Sequence, residues 1–168
     1  MGRKRKYNTY DLSNNYGIGY ASNTNNPFFF DLEDYDKIKG YCWHETEDGY
    51  VATRIGNNAH FMMHRLIMNC PKDMDVDHEH HNGMDNRKDK LRICTRQQNN
   101  RNKRKTNKNT SGVVGVSWNK MRKKWQVSIM VNKKNIYLGL YNDINDAIKI
   151  RKEAEVKYFG EFRYKEEC

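Results

Sequence analysis

A chain of 168 residues has room for one or two small domains, and its three Trp, eleven Tyr and six Phe offset a modest 36% apolar content. Lys and Arg outnumber Asp and Glu by 31 to 21, and the excess is gathered downstream: residues 1–70 are charge-balanced, whereas 71–108 and 109–168 each carry +5. This points to a polyanionic partner, nucleic acid above all; no apolar run reaches the roughly 20 residues of a membrane span, and the scattered Cys42, Cys70, Cys94 and Cys168, with no C-x-x-C pair, argue against structural zinc and a disulfide scaffold.

The basic arm Gly2-Arg3-Lys4-Arg5-Lys6 leads into polar residues rather than the apolar stretch of a secretory signal, so an intracellular, cytoplasmic protein with free thiols is expected. Tyr16-Gly17-Ile18-Gly19-Tyr20 and Pro27-Phe28-Phe29-Phe30-Asp31 read as short strands around the turn-rich residues 22–26. Tyr35, Ile38 and Tyr41 fall at helical spacing within 32–41. Residues 49–54 and 59–63 predict a hairpin over Gly56-Asn57-Asn58. His64-Arg65-Leu66-Ile67-Met68 then leads to Pro71, which makes the first seventy residues a β-rich scaffold for the segment downstream. His44, His60 and His64 are read as structural histidines, and Arg65 as a phosphate contact.

The chemistry concentrates in residues 76–99. Val76-Asp77-His78 suits a strand end, residues 80–90 a polar loop with Asn82-Gly83, and 91–94 a returning strand. Thr95-x-x-Gln98 is a capping box that predicts a helix start, which places Asn99 in its first turn, facing the hairpin. The expected ββα unit gathers a hard carboxylate (Asp77), a neutral amide oxygen (Asn99) and an imidazole (His78). Two oxygen ligands suit one magnesium or manganese ion per site, with positions left for water and phosphate. His78, with an ordinary pKa near 6.5, can take a proton from an attacking water. His80 and His81 are read as bystanders, while Arg87 and Arg92 are candidate phosphate contacts.

These residues resemble the HNH nucleases, especially the homing-type endonucleases of phages and mobile introns. The likeness runs from about Gly49, through Met63-His64-Arg65-Leu66-Ile67-Met68, to Asn102. It implies that Asp77 and Asn99 are the metal ligands and His78 the general base. One departure falls at Lys90, where the family has an asparagine that braces the loop; a lysine ammonium cannot accept a hydrogen bond. Asn86 or Asn82 then compensates, Lys90 contacts phosphate, or the enzyme is slow or dead.

Residues 101–112 are polar and basic, with Arg101, Lys103, Arg104, Lys105 and Lys108 supplying five charges, and 103–110 reads as a linker suited to a DNA groove. Beyond it, 113–118 reads as a strand, and alternation places Trp125, Val127, Ile129 and Val131 on one face of a second. Asn132-Lys133-Lys134 makes a turn, and a third strand puts Ile136, Leu138 and Leu140 on a shared face. Asp143 caps a helix to about Tyr158, with Ala147, Ile150, Ala154 and Tyr158 inward.

The expected fold is therefore α+β: a nuclease domain over 1–102, a linker, and a three-stranded antiparallel sheet packed on one helix over 111–168. Ser111-Gly112-Val113-Val114-Gly115-Val116-Ser117-Trp118, Lys124-Trp125, Tyr137-Leu138-Gly139 and Phe159-Gly160 resemble the Apetala/ethylene-response-factor type DNA-binding domain. That likeness implies a sheet that enters the major groove. Its outward set is Ser117, Asn119, Lys124, Gln126, Ser128, Met130, Asn135 and Tyr137, with Lys120, Arg122, Lys133 and Lys134 at the turns. Trp125 is read as a core aromatic, and Trp118 as either a core aromatic or a stacking platform. The expectation is an endonuclease on double-stranded DNA, nicking as a monomer and cutting both strands as a transient dimer or in two visits. The competing expectation is a regulatory DNA-binding protein with an inactive nuclease remnant.

Overall fold

The computed structural model describes residues 7–56, 59–102 and 111–164. They divide into two compact units between Asn99 and Asn100. Residues 103–110, expected as the basic linker, lie outside the described residues, and with them Lys103, Arg104 and Lys105.

The first unit opens with a three-stranded antiparallel sheet of β1 (Tyr10–Asp11), β2 (Gly17–Tyr20) and β3 (Pro27–Phe30). Alternation in the Phe-rich strand drives Phe28 and Phe30 fully into the interior. A short 3-10 turn, Leu32–Asp34, and the single-turn α1 (Tyr35–Ile38) stand where one continuous helix was expected. The buried Asp34 carboxylate draws Lys37 (2.5 Å) and Lys88 (3.1 Å) to this bend. Next come β4 (His44–Glu45), β5 (Val51–Ile55) and β6 (Ala59–Met62), again antiparallel, then α2 (Met63–Ile67). Phe28, Phe30, Ile38, Trp43, Val51, Met63 and Ile67 form one core between these layers, in which each buried Phe contributes about 1.5–3 kcal/mol. The Trp43 indole N–H is satisfied by the Ile38 carbonyl at 2.9 Å.

On this base stands a hairpin of β7 (Asp75–His78) and β8 (Leu91–Cys94), followed by α3 (Arg96–Arg101). The loop between the two strands is seated by the scaffold. Phe29 donates to the Met84 carbonyl (2.9 Å), Asn86 donates to the Phe29 carbonyl (2.8 Å), and the Lys88 N–H meets the Asp31 carboxylate at 2.8 Å.

The second unit is a three-stranded antiparallel sheet in the order β11 (Lys134–Tyr141), β10 (Lys124–Val131), β9 (Val116–Asn119), covered by α4 (Ile144–Phe159). The Asp143 carboxylate caps α4 by accepting from the Asn145 N–H at 2.7 Å. Asn132 and Lys133 both have positive φ, as a two-residue hairpin turn matched to strand twist requires. Val116, Val127, Ile129, Ala147, Ala154 and Phe159 are buried between sheet and helix. Arg151, on the inner side of α4, was not expected there; it is 4% exposed and satisfied by the Ser128 carbonyl (2.7 Å) and Glu155 (2.9 Å).

The face shared by Ile136, Leu138 and Leu140 needs correction. A bulge interrupts the β10–β11 register, so that Val127 pairs with Gly139 but Ser128 with Tyr137. The extra residue reverses the alternation: Leu138 packs inward, Leu140 pairs with Gln126 on the other face, and Tyr141 turns into the core. Gly139 has φ of +129°, and a Cβ there would lie 2.8 Å from the Tyr141 hydroxyl, so the bulge depends on glycine. Among the described residues no helix is long and apolar enough to cross a membrane.

Candidate active site

Strand pairing sets the geometry of the hairpin. Asp77 lies opposite Arg92, and His78 opposite Leu91. Asp75 and Asp77, two residues apart on β7, share a face, and the Cys94 thiol stands near both carboxylates. Burial and these two negative charges push its pKa up to about 11 and keep it protonated. Asp77 is 6% exposed, and its Oδ2 accepts from both Nε (2.9 Å) and Nη2 (2.6 Å) of Arg92. Arg92 also has Nη1 3.7 Å from a Glu79 carboxylate oxygen. An arginine expected at a phosphate is thus 9% exposed and holds the candidate metal ligand instead.

Asn99 arrives from α3. The capping box forms as the sequence predicts: the Gln98 N–H donates to the Thr95 hydroxyl (3.2 Å), and the Gln98 side-chain oxygen accepts from the Thr95 N–H (2.8 Å). The Asn99 N–H then bonds to the Thr95 carbonyl at 2.9 Å, and its side-chain NH2 reaches Asp75 Oδ2 at 3.3 Å. An amide that gives its NH2 to one carboxylate turns its oxygen elsewhere, so the Asn99 oxygen is directed away from Asp75. Among the described residues no three His, Cys, Asp or Glu side chains converge as a metal site. Asp77 and the Asn99 amide oxygen are the groups at this hairpin that could hold a hard cation, and a carboxylate with a neutral amide oxygen suits magnesium or manganese with water and phosphate completing the shell.

His78 occupies a different surrounding. Its ring lies 5.0 Å from His64, edge to face, and 5.6 Å from Tyr50. Burial lowers its pKa to about 4, against a hydrogen-bonding contribution from Asn86 and the charges of Asp77 and Asp85 that favour the protonated form. His64 is driven to about 3 by burial, with His78 and Arg65 adding to the effect. Both imidazoles are therefore neutral at pH 7. The loop that carries Asn86 also packs closely against Gly49 and Tyr50. A Cβ on Gly83 would sit 2.3 Å from the Gly49 carbonyl oxygen, a close approach that only glycine permits.

Lys90 does not enter the site. Its ammonium pairs with Asp89 at 2.7 Å, while its backbone carbonyl accepts from the Glu79 N–H at 3.0 Å and braces the loop. The fully buried Asn86 is the side-chain amide that faces His78. Arg65 spends its guanidinium on the Met74 (2.9 Å) and Pro71 (2.8 Å) carbonyls, and Arg87 on Asp85 (2.8 and 2.5 Å) and the Tyr16 ring. These three arginines bind the chain to itself. Asp75 and Tyr50 are members of this cluster that sequence reasoning missed, and His64, read as a structural histidine, joins them. Asp75 was open to detection, since an acidic residue two before Asp77 must share its strand face.

In the second unit the register gives the outward sheet face expected from alternation, with one addition. Ser117 pairs with Gln126, Asn119 with Lys124, Ser128 with Tyr137 and Met130 with Asn135, and the bulge adds Leu140. Met130 and Tyr137 are exposed at 62% and 58%. Lys120, Arg122, Lys133 and Lys134 stand exposed at the hairpin ends. Trp125 packs against the core with Trp118 edge-on at 5.2 Å, and Trp118 remains 45% exposed. Arg101 lies over the Phe159 ring at 5.0 Å.

No family model matches the chain, and no solved structure matches it. It is 29% identical over 144 residues to a protein of Acanthamoeba polyphaga mimivirus named as an uncharacterized HNH endonuclease, a likeness that covers 80% of this chain and 71% of that one. At this identity the likeness supports the HNH nuclease family and nothing narrower.

Proposed function

We propose that the protein is a metal-dependent HNH-type endonuclease that hydrolyses phosphodiester bonds in double-stranded DNA and nicks at preferred sites, with its C-terminal sheet as a second DNA-binding surface of the Apetala/ethylene-response-factor kind. One observation carries this reading: Asp77 and His78 end a strand beside a capped helix whose Asn99 amide donates to Asp75, two residues before Asp77 on that strand. A bound magnesium or manganese ion would offset the charge that develops on the phosphate and leaving oxygens. Asp77 and Asn99 would supply its protein oxygens. His78, neutral and enclosed by Tyr50, His64 and Asn86, receives a proton from the attacking water on an imidazole nitrogen. Asn86 favours the imidazolium that results. The exposed Met130, Tyr137 and flanking lysines of the sheet offer a positively charged, mixed polar surface to DNA.

The reading is tested by relaxation of supercoiled plasmid with magnesium, with manganese and with chelator. Native protein should nick only with metal, and His78→Ala should slow the reaction by about 10²–10⁴, the range for loss of a general base. Native protein that binds DNA yet never nicks would leave a DNA-binding protein with an inactive nuclease unit.

A further inference from the structure

We propose that Arg92 is a resident counter-cation for Asp77, which it occupies until a divalent cation arrives, and that Glu79 receives the displaced guanidinium. The inference rests on the reading of Asp77 as a metal ligand. Three features of the pair carry it. Asp77 is 6% exposed, and a carboxylate so enclosed needs a positive partner in the metal-free protein. Nε at 2.9 Å and Nη2 at 2.6 Å of Arg92 both donate to one oxygen of that carboxylate, Oδ2. Nη1 of the same guanidinium stands 3.7 Å from Glu79, inside ion-pair range, so a second carboxylate lies beside the first.

The consequence is electrostatic. A guanidinium keeps its proton throughout the accessible pH range, so a divalent cation on Asp77 must displace this charge or be repelled by it at close range in a poorly screened site. Metal binding to the protein alone is therefore weak by construction. A DNA phosphate brings the negative charge that lets both cations coexist, which couples metal affinity to DNA binding. Arg92 acts through Asp77 and is a positioning residue; a purely structural ion pair would make the opposite prediction, since loss of Arg92 would disorder Asp77 and weaken metal binding.

The experiment titrates Mn2+ into the full chain without DNA and follows free Mn2+ by electron paramagnetic resonance, with folding checked by circular dichroism. Arg92→Gln should bind Mn2+ more tightly than native protein, by about tenfold, within the usual range of coupling between sites. Glu79→Gln, which removes the second anchor, should bind it several-fold more weakly. Unchanged or weaker binding by folded Arg92→Gln overturns the inference, and so does unchanged binding by Glu79→Gln, which decides the matter if Arg92→Gln does not fold. If Asp77→Ala abolishes metal-dependent nicking while these affinities stay level, the nuclease reading stands and only the counter-cation fails. Nicking and Mn2+ binding that are both indifferent to Asp77→Ala would remove both.

Discussion

His64 and His78 meet edge to face at 5.0 Å, 8% and 5% exposed, and burial favours the uncharged form of both rings. This has a thermodynamic signature in the metal-free protein. Their folded pKa values of about 3 and about 4 lie below the ordinary 6.5, so the folded state refuses protons that the unfolded chain accepts. Above pH 6.5 neither state binds them and the histidines cost nothing. As pH falls through 6.5 toward about 4, each removes up to about 1.4 kcal/mol of stability per pH unit. Urea unfolding between pH 7 and pH 4.5 should show this decline, and His64→Phe, which keeps an aromatic ring in the cavity, should make it shallower. A decline of the same steepness in both proteins would mean that His64 is protonated as readily in the fold as out of it.

At the scale of the element, α3 is a helix of six residues, too short to hold itself by backbone hydrogen bonding alone. The Thr95–Gln98 box supplies what its length does not, and Asn99 is the first side chain past it. Removing the hydroxyl with Thr95→Ala should cost about 1 kcal/mol of local stability, which corresponds to roughly fivefold faster amide exchange at Gln98 and Asn99. Exchange that stays at the native rate would show that the Asn99–Asp75 contact, and not the cap, holds the helix in place. This box was legible in sequence because its signal is local. So were the β7–β8 hairpin and the Asp143 cap, for the same reason. The β10–β11 bulge was not: alternation through Ile136, Leu138 and Leu140 is unbroken, and only the approach of Gly139 to Tyr141 reveals the extra residue. The two-residue strand Tyr10–Asp11 carries no periodicity to read. Arg92 was read as a phosphate contact because it is a basic residue close to Asp77 and His78 in sequence, whereas cross-strand pairing with Asp77 places it in the interior. Its role is set by register, and register is a tertiary property.

Over the whole molecule the distribution of charge decides what an encounter with DNA would look like. Arg65, Arg87 and Arg92 are engaged by carbonyls and carboxylates of the first unit, and Arg96, whose side chain is 81% exposed, lies 3.7 Å from Asp75. The exposed cations of the second unit, Lys120, Arg122, Lys133 and Lys134, flank a sheet face on which Met130 and Tyr137 are bare. Long-range attraction should therefore come chiefly from the sheet rather than from the hairpin that carries Asp77 and His78. If about five phosphates are met, the logarithm of DNA affinity should fall against the logarithm of salt concentration with a slope near −4 to −5, about −0.9 for each contact. Replacing all four cations together, as Lys120→Gln, Arg122→Gln, Lys133→Asn and Lys134→Gln, leaves the two cores and the bulge untouched. Asparagine suits position 133 because φ there is positive, at 64°. Fluorescence anisotropy with a short duplex should then give a slope reduced by up to about three and a half, with weaker binding at every salt concentration. A variant that keeps the native slope would transfer the docking surface to other cations, and the sheet would lose its part in holding DNA.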